Sequence, residues 1–307
     1  MTLETYLREL VDPARPLGVA RLINLSSLAP DEVSAFEDAW RAADVRRRRQ
    51  IVHELIELAE DNVELNFDAV FRVSLSDPDI EVRHSGIRGL WEYEGRDLIP
   101  TLVALLLTDV DQGVRAEAAL ALGRYALKAE FGEVRTSDAS AVDEALRRAF
   151  ADPEQPTEVR ARAVEAVGVR SQPWVIQIIE DAYRSGQHRL QVSALHAMGR
   201  NCDVRWLATL VQELKSEDAE IRYEAATACG SLGDESAVPH LLPLLEDDDA
   251  EVQEVAIQAL GQIGGREAKR FLEDRLDHSD ERVRDAALAA LAEVDFGDTP
   301  LSFKPGG

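Results

Sequence analysis

The side chains able to do acid–base, nucleophilic or metal chemistry are few and scattered. Six histidines, His53, His84, His188, His196, His240 and His278, are spread along the chain, and no two share the i, i+3 or i+4 spacing that puts two ligands on one helix face. Ordinary structural or surface roles are expected for them. The two cysteines, Cys202 and Cys229, form neither a CxxC pair nor a disulfide framework, which points to a reducing compartment. Cys229 reads as a small core residue and Cys202 as a turn residue. Gly261-Gln262-Ile263-Gly264-Gly265 resembles a phosphate loop only on the surface, because no strand pattern precedes it. No catalytic, metal or cofactor site is expected. Arg46-Arg47-Arg48-Arg49 is the one concentrated run of positive charge. It covers every side of a helix turn, so it reads as a solvated face balanced by Asp44, Glu54 and Glu57.

What remains with binding chemistry is a set of rings. Aromatic residues make up only 6% of the chain, so each is conspicuous. Trp91 and Tyr93 follow a helical pattern where related segments carry glycine. Trp174 and Trp206 start apolar helices 32 residues apart, and Tyr183, His240 and Phe271 belong to helices of the same kind. These seven residues are the candidate partner contacts, with core packing as the competing reading of each ring.

The elements that carry them recur at a fixed period. Ile221 to Gly230, Val252 to Gly261 and Val283 to Ala292 are three versions of one amphipathic helix, 31 residues apart. Taking the arginine of a Val-Arg pair as the register mark gives Arg46, Arg83, Arg115, Arg160, Gln191, Arg222, Gln253 and Arg284. The intervals are 37, 32, 45, 31, 31, 31 and 31. A glycine stands eight residues after five of the marks, at Gly123, Gly168, Gly199, Gly230 and Gly261, and suits a left-handed helix end. A second apolar helix, such as Ile99 to Leu107 or Val238 to Leu245, lies between each glycine and the next mark. Pro100 and Pro239 fit the first turns of these helices, whereas Pro243 should bend its helix or shift its start. Acidic turns precede the marks: Asp77-Pro78-Asp79, Asp109-Val110-Asp111, Asp152-Pro153-Glu154, Glu217-Asp218, Asp247-Asp248-Asp249 and Ser279-Asp280-Glu281. Such carboxylates cap helix starts at about 0.5–2 kcal/mol each, which explains much of the acid. The 45-residue interval holds an insertion of about fourteen residues around Lys128 to Asp138, expected as a loop on one face.

The unit D-x-x-V-R-x-x-A-x-x-A-L-G, best seen at Asp111 to Gly123, Glu158 to Gly168, Asp218 to Gly230 and Asp249 to Gly261, resembles the HEAT-repeat family, in the short form of phycobilisome lyase subunits. The resemblance spans about Asp31 to Asp295. It implies an all-α, right-handed α-solenoid of stacked antiparallel helix pairs, an armadillo-like superhelix. The expected organisation is an N-terminal helix and linker over 1–30, the solenoid over 31–295 and a tail over 296–307. Within the first part, Thr2 to Val11 forms a helix stopped by Asp12-Pro13. Pro30 opens a second helix bearing Val33, Phe36 and Trp40. The resemblance further implies a ladder from each Val-Arg arginine to a turn aspartate of the neighbouring repeat, interrupted at Gln191 and Gln253, and second helices lining the concave side.

Among enzymes of this fold, deoxyhypusine hydroxylase builds a di-iron site from His-Glu pairs just after the mark. The equivalent positions here read His84-Ser85, Ala116-Glu117, Ala161-Arg162, Val192-Ser193, Tyr223-Glu224, Glu254-Val255 and Asp285-Ala286, and His53-Glu54 is out of register, so that site cannot be assembled. Bilin-lyase activity has no identifiable pocket. The formal charge of −24 argues against general polyanion binding and against an anionic membrane surface. From Asn201 to Asp295 there are 9 Lys/Arg against 23 Asp/Glu, a local charge of −14. No run is apolar for long enough to span a bilayer. The expectation is a cytoplasmic, non-catalytic scaffold or adaptor without cofactor, whose concave face holds a protein or extended peptide with basic segments. The alternative is an enzyme or enzyme accessory of the lyase or hydroxylase kind.

Overall fold

The structure is a computed structural model that describes residues 2–298. Every regular element among them is helical, and the chain forms two compact units divided between Val159 and Arg160. The first unit holds α1 (Leu3–Val11), α2 (Pro30–Ala42), α3 (Val45–Asp61), α4 (Asp68–Ser74), α5 (Ile80–Gly89), α6 (Ile99–Thr108), α7 (Gln112–Glu130) and α8 (Thr136–Ala151). The division falls inside α9 (Thr157–Val167). The second unit continues with α10 (Pro173–Tyr183), α11 (His188–Asn201), α12 (Leu207–Glu213), α13 (Ala219–Leu232), α14 (Val238–Leu241), α15 (Ala250–Ile263), α16 (Gly265–Arg275) and α17 (Glu281–Asp298). The odd-numbered elements from α3 onward carry the register mark and are called first helices; the even ones from α4 are second helices. The expected C-terminal tail begins within α17, and residues 299–307 lie outside the described residues.

Local chemistry sets these boundaries. Thr2 caps α1, and Pro30 opens α2 at a position that needs no backbone donor. Asp44, Asp79, Asp111, Asp218 and Asp249 each accept a hydrogen bond from a backbone N–H in the first turn of a first helix. Pro243 splits its second helix: α14 stops at Leu241 and a tighter 3₁₀ turn runs from Leu242 to Glu246. The insertion around Lys128 to Asp138 is not a loop. It lengthens α7 to 19 residues and α8 to 16, leaving only a short turn between them.

Two expectations about the repeat are corrected. The first register mark is Arg48 rather than Arg46: Arg83, Arg115, Arg222 and Gln253 each stand four residues after the aspartate that caps their helix, and Asp44 is the cap of α3. Of the five glycines eight residues after the mark, only Gly168 follows a helix end; Gly123 lies inside α7. Gly199, Gly230 and Gly261 lie inside α11, α13 and α15, where a built Cβ would come within 2.8, 2.9 and 2.9 Å of the Cα of Ala228, Ala259 and Ala290. Gly168, just past α9, meets Ala197 in the same way. Glycine is required there because two backbones touch, not because φ is positive. The left-handed helix ends fall instead at Cys202 and Gly233, three residues further on. First helices of the second unit therefore pack directly on one another, α11 on α13, α13 on α15 and α15 on α17, while second helices pack chiefly on first helices.

The ladder is present and its gaps are paired. Arg83 donates from Nε and Nη2 to both oxygens of Asp109 at 2.8 Å, and Nη1 reaches back to the carbonyls of Asp77 and Pro78. Arg222 repeats this with Asp247, also at 2.8 Å, and with the carbonyls of Ser216 and Glu217. Arg48 lies 2.8 Å from Asp77, whose carboxylate also accepts from Trp40 Nε1 and from the N–H of Asp79. Arg115 reaches Gln155 instead. Where the mark is glutamine, the aspartate of the following turn is gone as well. Ser216 follows Gln191 and His278 follows Gln253, each accepting the turn N–H that an aspartate takes elsewhere. A largely buried aspartate without its arginine would be costly, so the two charges are absent together. The Arg46–Arg49 run is mostly structural, not solvated. Arg47 is buried and donates to the carbonyls of Asp12 and Arg15, while Arg49 pairs with Asp79 and Glu81; Arg46 is exposed and has no such partner among the described residues.

Candidate functional site

The expected contact residues are placed very differently from one another. Trp206 is 4% exposed, and its Nε1 donates to Asn201 Oδ1 at 3.0 Å, which makes it a core residue. Trp174 is half-buried in the first turn of α10. Tyr183, half-buried at the end of α10, donates its hydroxyl to Glu213 of α12; burial, then that carboxylate, push the phenol up to about 12. Phe271 lies half-buried on α16 beneath the Arg270 guanidinium, and His240 is exposed on α14. Tyr93 is tied down by Arg72 and Asp97: its hydroxyl accepts from Arg72 at 2.8 Å and donates to Asp97 at 2.7 Å. Trp91, 62% exposed, is the one candidate tryptophan that offers most of its ring to a partner.

Trp91 stands in the turn after α5, and α7 holds that turn in place. Arg124 Nη1 donates to the Trp91 carbonyl at 2.9 Å, and the buried Tyr125 hydroxyl bonds to the Gly95 carbonyl at 3.0 Å. The ring borders a groove of about 360 Å³ lined by Ile56 and Glu60 of α3, Arg88 of α5, and Leu120, Ala121 and Arg124 of α7. All three walls are first helices. Leu120, Leu127 and the C-cap residue Phe131 are exposed and spaced i, i+7, i+11, so an apolar stripe runs along one side of α7 to its end. These three residues were not among the sequence candidates, and the segment 128–138, which holds Phe131, was expected to be a loop. A helical wheel continued through residue 131 would have shown them. A larger cavity of about 1,030 Å³ lies between α2 and α4, but its polar walls are mutually satisfied: Asp77 by Trp40 and Arg48, and Arg41 by Glu37 and Asp38.

Titratable groups form cross-repeat pairs on the first helices. His84 lies 3.6 Å from Glu117, and His196 lies 3.6 Å from Glu224. Glu165 is enclosed by Arg162, Arg189 and Ser193; burial raises its carboxyl, but Ser193 and the two guanidiniums together hold it below its ordinary value. Among the described residues one group has metal-ligand geometry: His188, Asp218 and Glu220, with ligand atoms within 4.8 Å of one another and all three exposed. Asp218 there already caps α13, accepting from the N–H groups of Glu220 at 2.9 Å and Ile221 at 3.2 Å, and lies 3.0 Å from His188 Nε2. Burial pushes the Cys229 thiol up to about 12, whereas Cys202 is exposed. No helix among the described residues is long and apolar enough to cross a membrane.

The fold and this face define an all-α protein of stacked helix pairs. Residues 69–131 and 207–292 match the family of HEAT repeats, so each of the two units carries HEAT repeats. Among solved structures it is similar to the complex of CpcE and CpcF of phycocyanin lyase from Nostoc sp. PCC7120. That match has 17% identity and a TM-score of 0.52, over 92% of this chain and 97% of that one. This likeness concerns the fold alone. Weaker matches include human deoxyhypusine hydroxylase in complex with glycerol (19% identity, TM-score 0.31, 96% of each chain). Importin beta matches at 17% identity and TM-score 0.44, over 95% of this chain and 41% of that one. No curated protein matches the chain significantly.

Proposed function

We propose that this protein is a non-catalytic scaffold or adaptor that binds a protein partner through its first-helix face. The observation carrying this reading is the Trp91 groove. A tryptophan 62% exposed, next to Leu120 at 44% exposed, forms an apolar hollow with charged residues at its edge. Exposed aromatic anchors in such hollows are the usual centres of binding energy. The exposed acids at the end of α3 favour a partner with basic segments, and a cytoplasmic setting is part of the same proposal. A photo-crosslinking residue at position 120, compared with one at exposed Ala104 on α6, tests the face directly. Adducts from position 120 alone support it, and equal labelling at both positions defeats it. The enzyme or enzyme-accessory alternative predicts stoichiometric iron or zinc in purified protein, which metal analysis would reveal.

A further inference from the structure

The charges around the Trp91 groove are unevenly placed. On one side α3 ends in Glu57, Glu60 and Asp61, all exposed, with no basic residue in its last turn. None of the three acids is in an ion pair among the described residues. The carbonyl end of a helix is its negative pole, so acids there are unfavourable for α3 itself and intensify a negative field at the groove mouth. The opposite side is mainly apolar, with Leu120 and Leu127 on α7 and Phe131 at its C-cap, although Glu117 and Arg124 of α7 and Arg88 of α5 also line the groove. Eleven residues at about 1.5 Å each make a stripe of about 16 Å, the length of roughly three helical turns.

The walls and floor are helices whose backbone groups are already bonded, so no edge is available for a strand to add to. Recognition must go through side chains, and a partner that satisfies its own backbone is a helix. We infer that the groove receives an amphipathic helical segment of a partner protein, with a large apolar side chain between Trp91 and Leu120 and Lys or Arg residues over Glu57, Glu60 and Asp61. The inference rests on the interaction reading above and names the partner's chemistry. An anionic segment is disfavoured by the acidic end of α3.

The test uses the full-length chain and a displayed library of 14-residue amphipathic helices, randomised at their apolar and charged positions. Enriched peptides should carry apolar residues at i, i+4, i+7 and a flank of Lys or Arg. Their affinity should fall about tenfold or more in Trp91→Ala. In Glu60→Lys/Asp61→Lys the selected flank should turn acidic. Enrichment that ignores all three substitutions but is lost in Tyr223→Ala, on α13 of the second unit, overturns this site while leaving the interaction reading intact. No enrichment at all overturns both. A concentration-dependent dimer abolished by Trp91→Ala would show that a second copy covers the groove, which also overturns the proposal.

Discussion

Replacing Gly199 by alanine should destabilise the protein, against the usual direction for a glycine inside a helix. In an unencumbered helix, Gly→Ala stabilises by about 1 kcal/mol through propensity. Here the added Cβ would lie 2.8 Å from Ala228 Cα and 3.0 Å from its Cβ. Carbon pairs sit comfortably at about 3.5–4.0 Å, so α11 and α13 must separate by roughly 0.7 Å or more at their closest point. Overpacking of this size costs about 1–3 kcal/mol. The difference leaves a loss of about 1 kcal/mol, read as a fall of roughly 2–4 °C in melting temperature for a unit of this size. Urea denaturation of wild type and Gly199→Ala gives the free-energy difference. An increase in stability would refute the claim that backbone contact, rather than helix termination, placed glycine there.

Four further outcomes follow from the ladder and the rings. Arg222→Gln alone should cost about 2–4 kcal/mol by leaving Asp247, a mostly buried partner, unpaired, whereas Arg222→Gln/Asp247→Ser should recover much of it, as a double-mutant cycle in urea would show. Hydrogen bonds from Arg222 hold the Asp247 carboxyl below its ordinary value. The stabilisation from that pair is therefore full above about pH 4 and is lost as pH falls through the folded-state value, so the melting-temperature gap between wild type and Asp247→Asn should narrow between pH 5 and pH 2. Trp206→Phe should cost about 1–2 kcal/mol by orphaning the Asn201 amide oxygen, while Trp91→Ala should change stability by less than about 0.5 kcal/mol in thermal melts. A thiol reagent at pH 8 should titrate one fast equivalent, Cys202, with Cys229 reacting only on unfolding, because a buried thiol near 12 presents almost no thiolate.

By itself the sequence determined the repeat, the helical class and the chemistry of the helix starts. These depend on neighbours along the chain: an aspartate capping N–H groups three residues away, a proline fixing its own φ, and apolar residues recurring with the helical period. Contacts between repeats were decided only by the tertiary structure. A glycine reads the same whether it ends a helix or touches an alanine 29 residues later, and Gly199 does the second. Trp206 and Trp91 were indistinguishable as letters, yet one is buried against Asn201 and the other stands open beside Leu120. The register error at Arg46 has the same origin, because Arg48 is recognised by Asp77 across the next turn and not by its position in an arginine run. Local hydrogen bonds and periodicity are properties of short segments. Burial, backbone approach and the partner of a charge are properties of the stack, and the groove on α3, α5 and α7 exists only there.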